Sequence, residues 1–263
     1  MSTRARSSND PPIPAKRYFD ASPTWFAWNH LTAADVAALR TEPAFEGQHI
    51  YFHLNHPIHF VRLVGLLSYV EIKAGRYLLL TLDDGSGACI EVKTTLRERK
   101  AGDNAEYPSN TLVDNVDVHI ELSLPCLRIN NEPVEIGAVI KAKGTIDTFR
   151  NTRQLKLERI WVVKDTNEEV KAWVETAKWK RDVLSRPWHL TQAERDEIDA
   201  RIQKDSEKER ERSQKKHAHN KQYEERKKRK FEKDERRRKR EEELYNAGAL
   251  PGSGSIPPRI TDS

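Results

Sequence analysis

Between Ile50 and Lys164 the chain consists of short runs of β-branched and aromatic residues that are separated by Gly, Asn and Asp. Runs of this kind are typical of β-strands. Gly65 lies inside the longest run, where a long strand can bend sharply. The pattern predicts five strands: Ile58–Ile72, Arg76–Leu82, Ala88–Thr95, Val139–Ile146 and Gln154–Val163.

The connections between these runs favour one topology. Residues 83–87 are predicted to form a tight hairpin turn, because two of them are glycines, which accept a positive φ. A further strand pair, Val116–Leu124 and Leu127–Ile129, is predicted between the third and fourth runs. A meander, one long connection and a return pair are typical of the OB-fold, a five-stranded Greek-key barrel. From the pattern alone, an SH3-like barrel or a small sandwich is the alternative.

Helices are predicted on both sides of the strands. The segment Ser22–Arg40 is interpreted as two short helical pieces, with Thr32 as the cap of the second. The segment Asn167–Ser185 has apolar residues at helical spacing. In it, Trp173 and Trp179 are six positions apart, about 240° around a helix, so they cannot share one face. This C-terminal helix could simply cover the open end of the barrel, but two separated indoles favour a helix that also binds a partner.

The charges divide the chain further. Its formal net charge is +5, and residues 195–243 alone contain 20 Lys and Arg against 15 Asp and Glu. Acidic residues there precede basic ones by four positions, which predicts an exposed single helix.

Two blocks, Lys227–Lys230 and Arg236–Arg240, are typical of nuclear-import or phosphate-binding patches. The predicted organisation is a disordered leader (1–17), an OB-fold domain with its flanking helices (18–190), a charged helical tail (191–245) and a disordered end (246–263).

Candidate catalytic chemistry is sparse in this sequence. Cys89 and Cys126 are far apart and have no neighbours at metal-ligand spacing, so no metal or cofactor is expected. Asp83 and Asp84 are more typical of a capped hairpin turn than of an acid–base pair. No phosphate-binding loop or nucleophile motif is present, and the longest apolar run is too short to span a bilayer. The sequence therefore favours a non-enzymatic binding protein without a membrane segment.

The expected ligand surface of an OB-fold is the outer face of its second and third strands, together with the loops that join strands 1–2 and 4–5. Alternation along the second strand places Leu78 and Leu80 in the core and Tyr77 and Leu79 outside. Cations and aromatic platforms are what sequence-tolerant binding of single strands requires, although the same residues also suit an ordinary solvated face. The candidate DNA-binding residues are Lys73, Arg76, Tyr77, Lys93, Lys141, Lys143, Phe149, Arg150, Arg153 and Lys156.

Three segments resemble a known family. They are NHPIHFVRLVG (Asn55–Gly65), LTLDDGSGACIEV (Leu80–Val92) and the stretch Val134–Leu155. They resemble the OB-fold domain of the middle subunit of the CST telomere-capping complex, the suppressor-of-Cdc-thirteen family. The entry into the first strand, His-Pro-Ile, is the most specific piece, whereas the Asp-Asp-x-x-Gly turn also occurs in the related middle subunit of replication protein A. The resemblance covers residues 18–185.

The resemblance implies a subunit that binds single-stranded telomeric DNA in a CST-like heterotrimer and supports chromosome-end capping and telomere replication in the nucleus. It implies a large telomere-binding subunit and a small OB-fold partner that packs on the C-terminal helix. The partner-binding candidates are Val170, Trp173, Val174, Ala177 and Trp179.

One part of the chain departs from the family pattern. Many family members carry a C-terminal pair of winged-helix domains, which takes part in the contact with DNA polymerase alpha–primase. Residues 187–263 are too poor in apolar residues to build such a domain, so a short form is expected. The contact with DNA polymerase alpha–primase is then implied only by the resemblance of the OB-fold domain. Two other functions stay open: a replication-protein-A-like middle subunit in general replication and repair, and an assembly adaptor that touches no DNA.

Overall fold

The computed structural model describes residues 11–98 and 107–248. The chain divides into two compact units, residues 1–191 and 192–263. The predictions for residues 1–10 and 249–263 lie outside the described residues. The first unit contains, in chain order, β1 (Asn29–His30), α1 (Ala33–Ala38), β2 (Tyr51–His53), β3 (His56–Ile58), β4 (Phe60–Lys73), β5 (Tyr77–Asp83), β6 (Cys89–Thr95), β7 (Val116–Glu121), β8 (Leu124–Ile129), β9 (Glu132–Val134), β10 (Val139–Phe149), β11 (Thr152–Val162) and α2 (Thr166–Trp179). The second unit contains α3 (Gln192–Gly248).

Five strands close into a barrel in the order β4, β5, β6, β11, β10 and back to β4. The strand β4 makes the closure, because its first half pairs with β10 and its second half with β5. The pairing changes at Leu66, which lies opposite Val139 on one side and Asp83 on the other. A five-stranded barrel with β6 and β11 parallel is the OB-fold Greek key, and the predicted fold class is confirmed.

Two glycines make the barrel possible at its tightest points. A Cβ atom on Gly65, next to the change of partner in β4, would lie 2.8 Å from the carbonyl oxygen of Asp83. A Cβ atom on Gly144, at a bulge between β10 and β11, would lie 2.0 Å from the carbonyl oxygen of Lys156. Neither distance is available to a real side chain, so glycine is required at both positions.

The residues before the barrel only partly match their prediction. The second helical piece is confirmed as α1, where Thr32 and Asp35 form a reciprocal capping box. The prediction of the first helical piece is wrong, because residues 22–27 form turns and bends and β1 runs parallel to β4. Polar side chains compete with helical hydrogen bonds here. The hydroxyl of Thr24 donates to the Pro57 carbonyl at 2.8 Å, and the Asn29 amide donates to the carbonyl of Phe60 at 2.9 Å.

A small three-stranded sheet fills the connection between β6 and β10. Strands β7 and β8 correspond to the predicted pair, and β9 adds a third strand that the sequence pattern did not predict. One face of this sheet belongs to the barrel core. Its contributing side chains are fully or almost fully buried: Val116, Val118, Leu127 and Ile129.

The described part of the second unit is one long charged helix. Its 57 residues carry ion pairs at four-residue spacing, such as Glu211 with Lys215 at 3.8 Å and Glu235 with Lys239 at 3.7 Å. Pairs of this kind stabilise an exposed helix that has no apolar face to bury. No helix in the described part of the chain is both long enough and apolar enough to cross a membrane.

Candidate nucleic-acid interface

Cations and aromatic rings from β5, β6 and the β10–β11 hairpin meet on the outer face of the barrel. The Lys93 ammonium lies 4.4 Å from the ring centre of Tyr77 and 5.9 Å from that of Phe149. The guanidinium of Arg76 lies 5.8 Å from the Tyr77 ring, and that of Arg150 lies 5.2 Å from the Phe149 ring. These five residues, called the outer-face cluster below, come together because β6 lies between β5 and β11 in the barrel.

Two more predicted cations border the outer-face cluster. Lys156 on β11 lies directly beside Lys93 in the parallel pairing of β11 with β6. Lys73 at the end of β4 lies opposite Tyr77. Both are exposed, so they extend the positive surface on either side of the two aromatic rings.

The acidic groups near the cluster are already engaged. The side-chain amide of Gln154 donates a hydrogen bond to the Glu91 carboxylate. The Glu98 carboxylate lies 3.5 Å from the guanidinium of Arg76. Leu79 keeps its predicted outward register but is only 6% exposed, between its cross-strand partners Glu71 and Lys93. It therefore offers no platform for a base, and the aromatic surface consists of Tyr77 and Phe149.

Arg153 does not belong to this surface, which corrects the sequence prediction. Its guanidinium turns toward α1 and donates to the carbonyl oxygens of Val36 at 2.8 Å, Ala37 at 2.5 Å and Leu39. Its charge also lies 5.2 Å from the ring centre of Tyr51. Burial lowers the pKa of the guanidinium. Arg153 therefore caps the C-terminus of a helix, where unpaired carbonyls attract a cation.

Lys141 and Lys143 also lie apart from the outer-face cluster. They are on the outer face of β10, six or more residues before Phe149, which corresponds to roughly 20 Å or more along a strand. Here they line a groove of about 510 Å³ between the barrel and α2, called the basic groove below. Five cations and two carboxylates line it, together with Trp161: Arg62, Lys141, Lys143, Lys164, Lys171, Glu168 and Glu175.

The carboxylates of α2 neutralise part of the basic groove. The Lys141 ammonium donates to Glu168 at 3.1 Å, and Arg62 donates to Glu175. These hydrogen bonds lower the pKa of both glutamates. Burial, followed by the charges of neighbouring cations, lowers the pKa of Lys143. Arg62 and Trp161 were missed by sequence reasoning, although the outward alternation of Trp161 in the last strand was a usable signal.

The helix α2 separates two kinds of surface. On the barrel side, Ala172 is buried and the half-buried Trp179 packs against the core, 5.7 Å from the ring of His30. Because its ring faces the barrel, Trp179 is not available to a partner, which corrects the sequence prediction for this residue. On the opposite side the exposed apolar residues form one stripe at helical spacing, with Trp173 53% exposed: Val170, Trp173, Val174 and Ala177.

The paired carboxylates of the hairpin turn have structural contacts. Asp83 accepts a hydrogen bond from the Gly85 amide at 2.9 Å, and Asp84 accepts one from the Ser86 amide at 3.1 Å. Asp84 also accepts one from the Ala33 amide at 2.7 Å, at the first residue of α1. These bonds fix the turn and join it to a helix N-terminus. No group of three or more metal-ligating side chains occurs among the described residues.

Comparison with known proteins identifies the family. The sequence model of "Telomere regulation protein Stn1" matches residues 110–252, more than half of the chain. The chain belongs to the Stn1 family. The family predicted from the sequence is thereby confirmed. Of the three segments that first suggested it, Val134–Leu155 lies within the matched residues and the other two precede them.

Stn1 proteins of yeasts are among the similar proteins. Protein stn1 of Schizosaccharomyces pombe is 24% identical over 161 residues, which cover 61% of this chain and 41% of the S. pombe protein. This Stn1-family chain thus spans well under two thirds of that relative. The crystal structure of the S. pombe Stn1–Ten1 complex is 21% identical, covers 60% of this chain and 95% of that chain, and has a TM-score of 0.42. A chain in the crystal structure of yeast Stn1 and Ten1 is 17% identical in sequence. The match covers 71% of this chain and 90% of that chain, with a TM-score of 0.47.

Proposed function

We propose that this Stn1-family chain is a non-enzymatic subunit that binds single-stranded telomeric DNA through the outer-face cluster. The observation that carries the proposal is the position of the Lys93 ammonium between the rings of Tyr77 and Phe149, with three further cations beside it. Cations follow the phosphates of a single strand, and exposed rings stack on its bases whatever their sequence. The cluster supplies both kinds of contact on the surface that OB-folds use for oligonucleotides.

The proposed binding is weak and mainly electrostatic. Each stacked base contributes roughly 1–3 kcal/mol, and only two rings are available. Phosphate contacts then supply most of the affinity, so binding depends strongly on salt and little on sequence. A subunit with these properties needs partners to hold a telomere end.

The exposed stripe of α2 is the proposed contact with a small OB-fold subunit. Its four apolar side chains lie on the side of the helix that faces away from the barrel, which is where a partner helix can pack. In the proposal the two subunits join a large telomere-binding subunit in a CST-like heterotrimer that acts in chromosome-end capping and telomere replication. A contact with DNA polymerase alpha–primase rests on the resemblance alone. The basic blocks of α3 are the proposed signal for nuclear import.

The test of DNA binding is fluorescence anisotropy of the full chain with telomeric and scrambled oligonucleotides at several salt concentrations. Loss of one phosphate contact lowers the log–log salt slope by roughly 0.7 for single strands. We expect Lys93→Met to do this and Lys93→Met with Lys156→Met to lower the slope by roughly twice as much. Both oligonucleotides should weaken alike. An unchanged affinity and slope would place the DNA contact outside the outer-face cluster. Absence of binding by the unaltered chain would support the adaptor without DNA contact instead.

A second measurement separates telomeric from general replication roles. Chromatin immunoprecipitation of the tagged full chain should recover telomeric repeats far above bulk chromatin. Equal recovery of telomeres and internal replication sites would favour the replication-protein-A-like function.

A further inference from the structure

Three cations lie side by side on neighbouring strands at the basic groove, and two of them, Arg62 and Lys143, line it. Lys143 on β10 lies opposite Arg62 of β4 on one side and opposite Arg159 of β11 on the other. Like charges directly opposite one another destabilise a sheet. Among the described residues, only Arg62 of this row has a carboxylate at ion-pair distance, that of Glu175. The Arg62–Lys143–Arg159 row, called the basic row below, therefore carries an excess of positive charge that an anion would relieve.

Two indoles flank the centre of the basic row. The Lys143 ammonium lies 5.3 Å from the ring centre of Trp28 and 5.6 Å from that of Trp161. Both distances are within the range of a cation–π interaction. Both indoles are only half-buried, so each keeps part of its ring surface accessible. Cations and accessible rings together form the same combination as in the outer-face cluster.

We propose that the basic groove, together with the adjoining Trp28 and Arg159, is a second binding site for single-stranded nucleic acid, with a phosphate on the basic row and a base against Trp161 or Trp28. The inference rests on the proposed function, since it adds a second contact for the same kind of ligand. An acidic peptide would be satisfied by the cations alone, whereas the two indoles add surfaces that suit a base. The volume of about 510 Å³ is that of a small-molecule site and accommodates a nucleotide.

One strand of the barrel connects the two sites. Lys156 borders the outer-face cluster, and Arg159 and Trp161 follow it on β11, with both Lys156 and Arg159 exposed. Five residues of a strand span roughly 16 Å. A long oligonucleotide can therefore follow the cations of β11 from one site to the other, and occupation of both sites strengthens its binding through effective concentration.

The first experiment measures binding of a fluorescein-labelled 24-residue oligodeoxythymidine to the full chain by anisotropy over a range of salt. The change is Lys143→Met, which keeps the aliphatic stem against the indoles and removes the charge. We expect roughly a three- to tenfold loss of affinity and a salt slope that is lower by roughly 0.7. Lys141→Met is the matched control on the same strand. Its ammonium is already paired with Glu168, so its effect should be clearly smaller.

The second experiment locates the base directly. An oligodeoxythymidine that carries 5-iododeoxyuridine is irradiated with the full chain, and the cross-linked peptides are identified by mass spectrometry. We expect cross-links at Trp161 or Trp28 in addition to those at Tyr77 or Phe149. The Lys143→Met chain should lose the former and keep the latter, which a general loss of folding could not produce.

The outcomes separate this inference from the proposed function. If binding depends on Lys93 but not on Lys143, and no cross-link forms in the groove, the outer-face site is supported and the second site is overturned. Absence of any oligonucleotide binding by the wild-type chain would overturn both. Displacement of the oligonucleotide from the groove by heptaglutamate at a lower concentration than by unlabelled hexadeoxythymidine would assign the groove to an acidic peptide.

Discussion

Arg150 lies in the turn between β10 and β11, and Arg153 follows three positions later in β11. The two side chains have different surroundings. Arg150 is exposed beside the ring of Phe149. Arg153 is half-buried and donates to three carbonyl groups at the end of α1. Residue type and spacing could not distinguish them, because the segment that Arg153 caps lies more than a hundred positions away in sequence.

The two arginines should therefore respond differently to the same substitution. We expect Arg153→Met to lower the free energy of unfolding by about 2 kcal/mol, since carbonyls at the end of α1 lose a charged donor, and to leave the salt slope of DNA binding unchanged. Arg150→Met should leave the melting temperature unchanged and lower the salt slope. Thermal denaturation and anisotropy on both variants check this. Equal effects on stability would contradict the capping role of Arg153.

Buried histidines make stability depend on pH. His56 is 2% exposed, its Nε2 donates to the Arg186 carbonyl at 2.8 Å, and its Nδ1 has no partner among the described residues. Burial, and more weakly the charge of His53, lowers its pKa below the usual 6.5. Burial also lowers the pKa values of His30 and His53. All three therefore bind a proton less readily in the folded protein than in the unfolded chain.

The sign of the pH effect follows from this direction. As pH falls below about 6.5, the unfolded chain binds protons before the folded chain does, so the free energy of unfolding decreases. The decrease is at most about 1.4 kcal/mol per histidine per pH unit. We expect the melting temperature to fall between pH 7.5 and pH 5.5, and to fall less steeply in His56→Gln. A melting temperature that rises on acidification would contradict the assignment.

At the scale of elements, α2 shows what helical periodicity can predict. The separation of Trp173 from Trp179 predicted two faces, and the structure places one indole outside and the other against the barrel. Which indole faces which way could not be predicted, because that depends on where β1 and His30 lie beside the helix. Sequence position alone also misplaced Lys141 and Lys143. They were grouped with the residues of the β10–β11 turn, but the structure places them farther back on β10, in the basic groove.

The exposed indole is the test of the partner surface. We expect Trp173→Ala to lower the affinity for a co-expressed small OB-fold subunit at least tenfold, as the loss of a central interface tryptophan usually does. Tyr69→Ala is the control, because Tyr69 is similarly exposed at 56% but lies on β4. Co-purification and calorimetry measure the effect. Equal recovery of the small subunit with both variants would place the interface elsewhere.

At the scale of the whole molecule, the five barrel strands could be predicted because apolar alternation and turn residues agree along residues 58–163, while their order stayed open between an OB-fold, an SH3-like barrel and a small sandwich. The third strand of the inserted sheet, β9, was missed, since its residues Glu132–Val134 show no apolar alternation. The sequence pattern predicted a barrel only as part of the OB-fold. It could not show that β4 pairs with both β5 and β10, because the contacts of β4 with β10 join residues far apart in sequence.

The basic blocks of the charged helix α3 predict nuclear localisation. We expect replacement of Lys227, Lys228, Arg229 and Lys230 by glutamine to abolish most nuclear accumulation of the fluorescently tagged full chain while helix content stays unchanged, because glutamine is a good helix former. Replacement of Lys204, Lys208, Arg210 and Arg212 removes the same charge from the same helix and is the control. Microscopy and circular dichroism provide the readouts. Equal loss of accumulation in both variants would indicate a general charge effect rather than an import signal.

The double pairing of β4 also orders the folding reaction in time. A three-residue turn joins β4 to β5, so this hairpin can form within microseconds. The other half of β4 must wait for β10, which comes roughly 75 residues later and carries a larger loop-closure entropy. We therefore expect the β4–β10 seam to form after the β4–β5 hairpin. It is also the seam that bears Lys143 and Arg62, so an anion bound across it would slow unfolding as well as fill the groove.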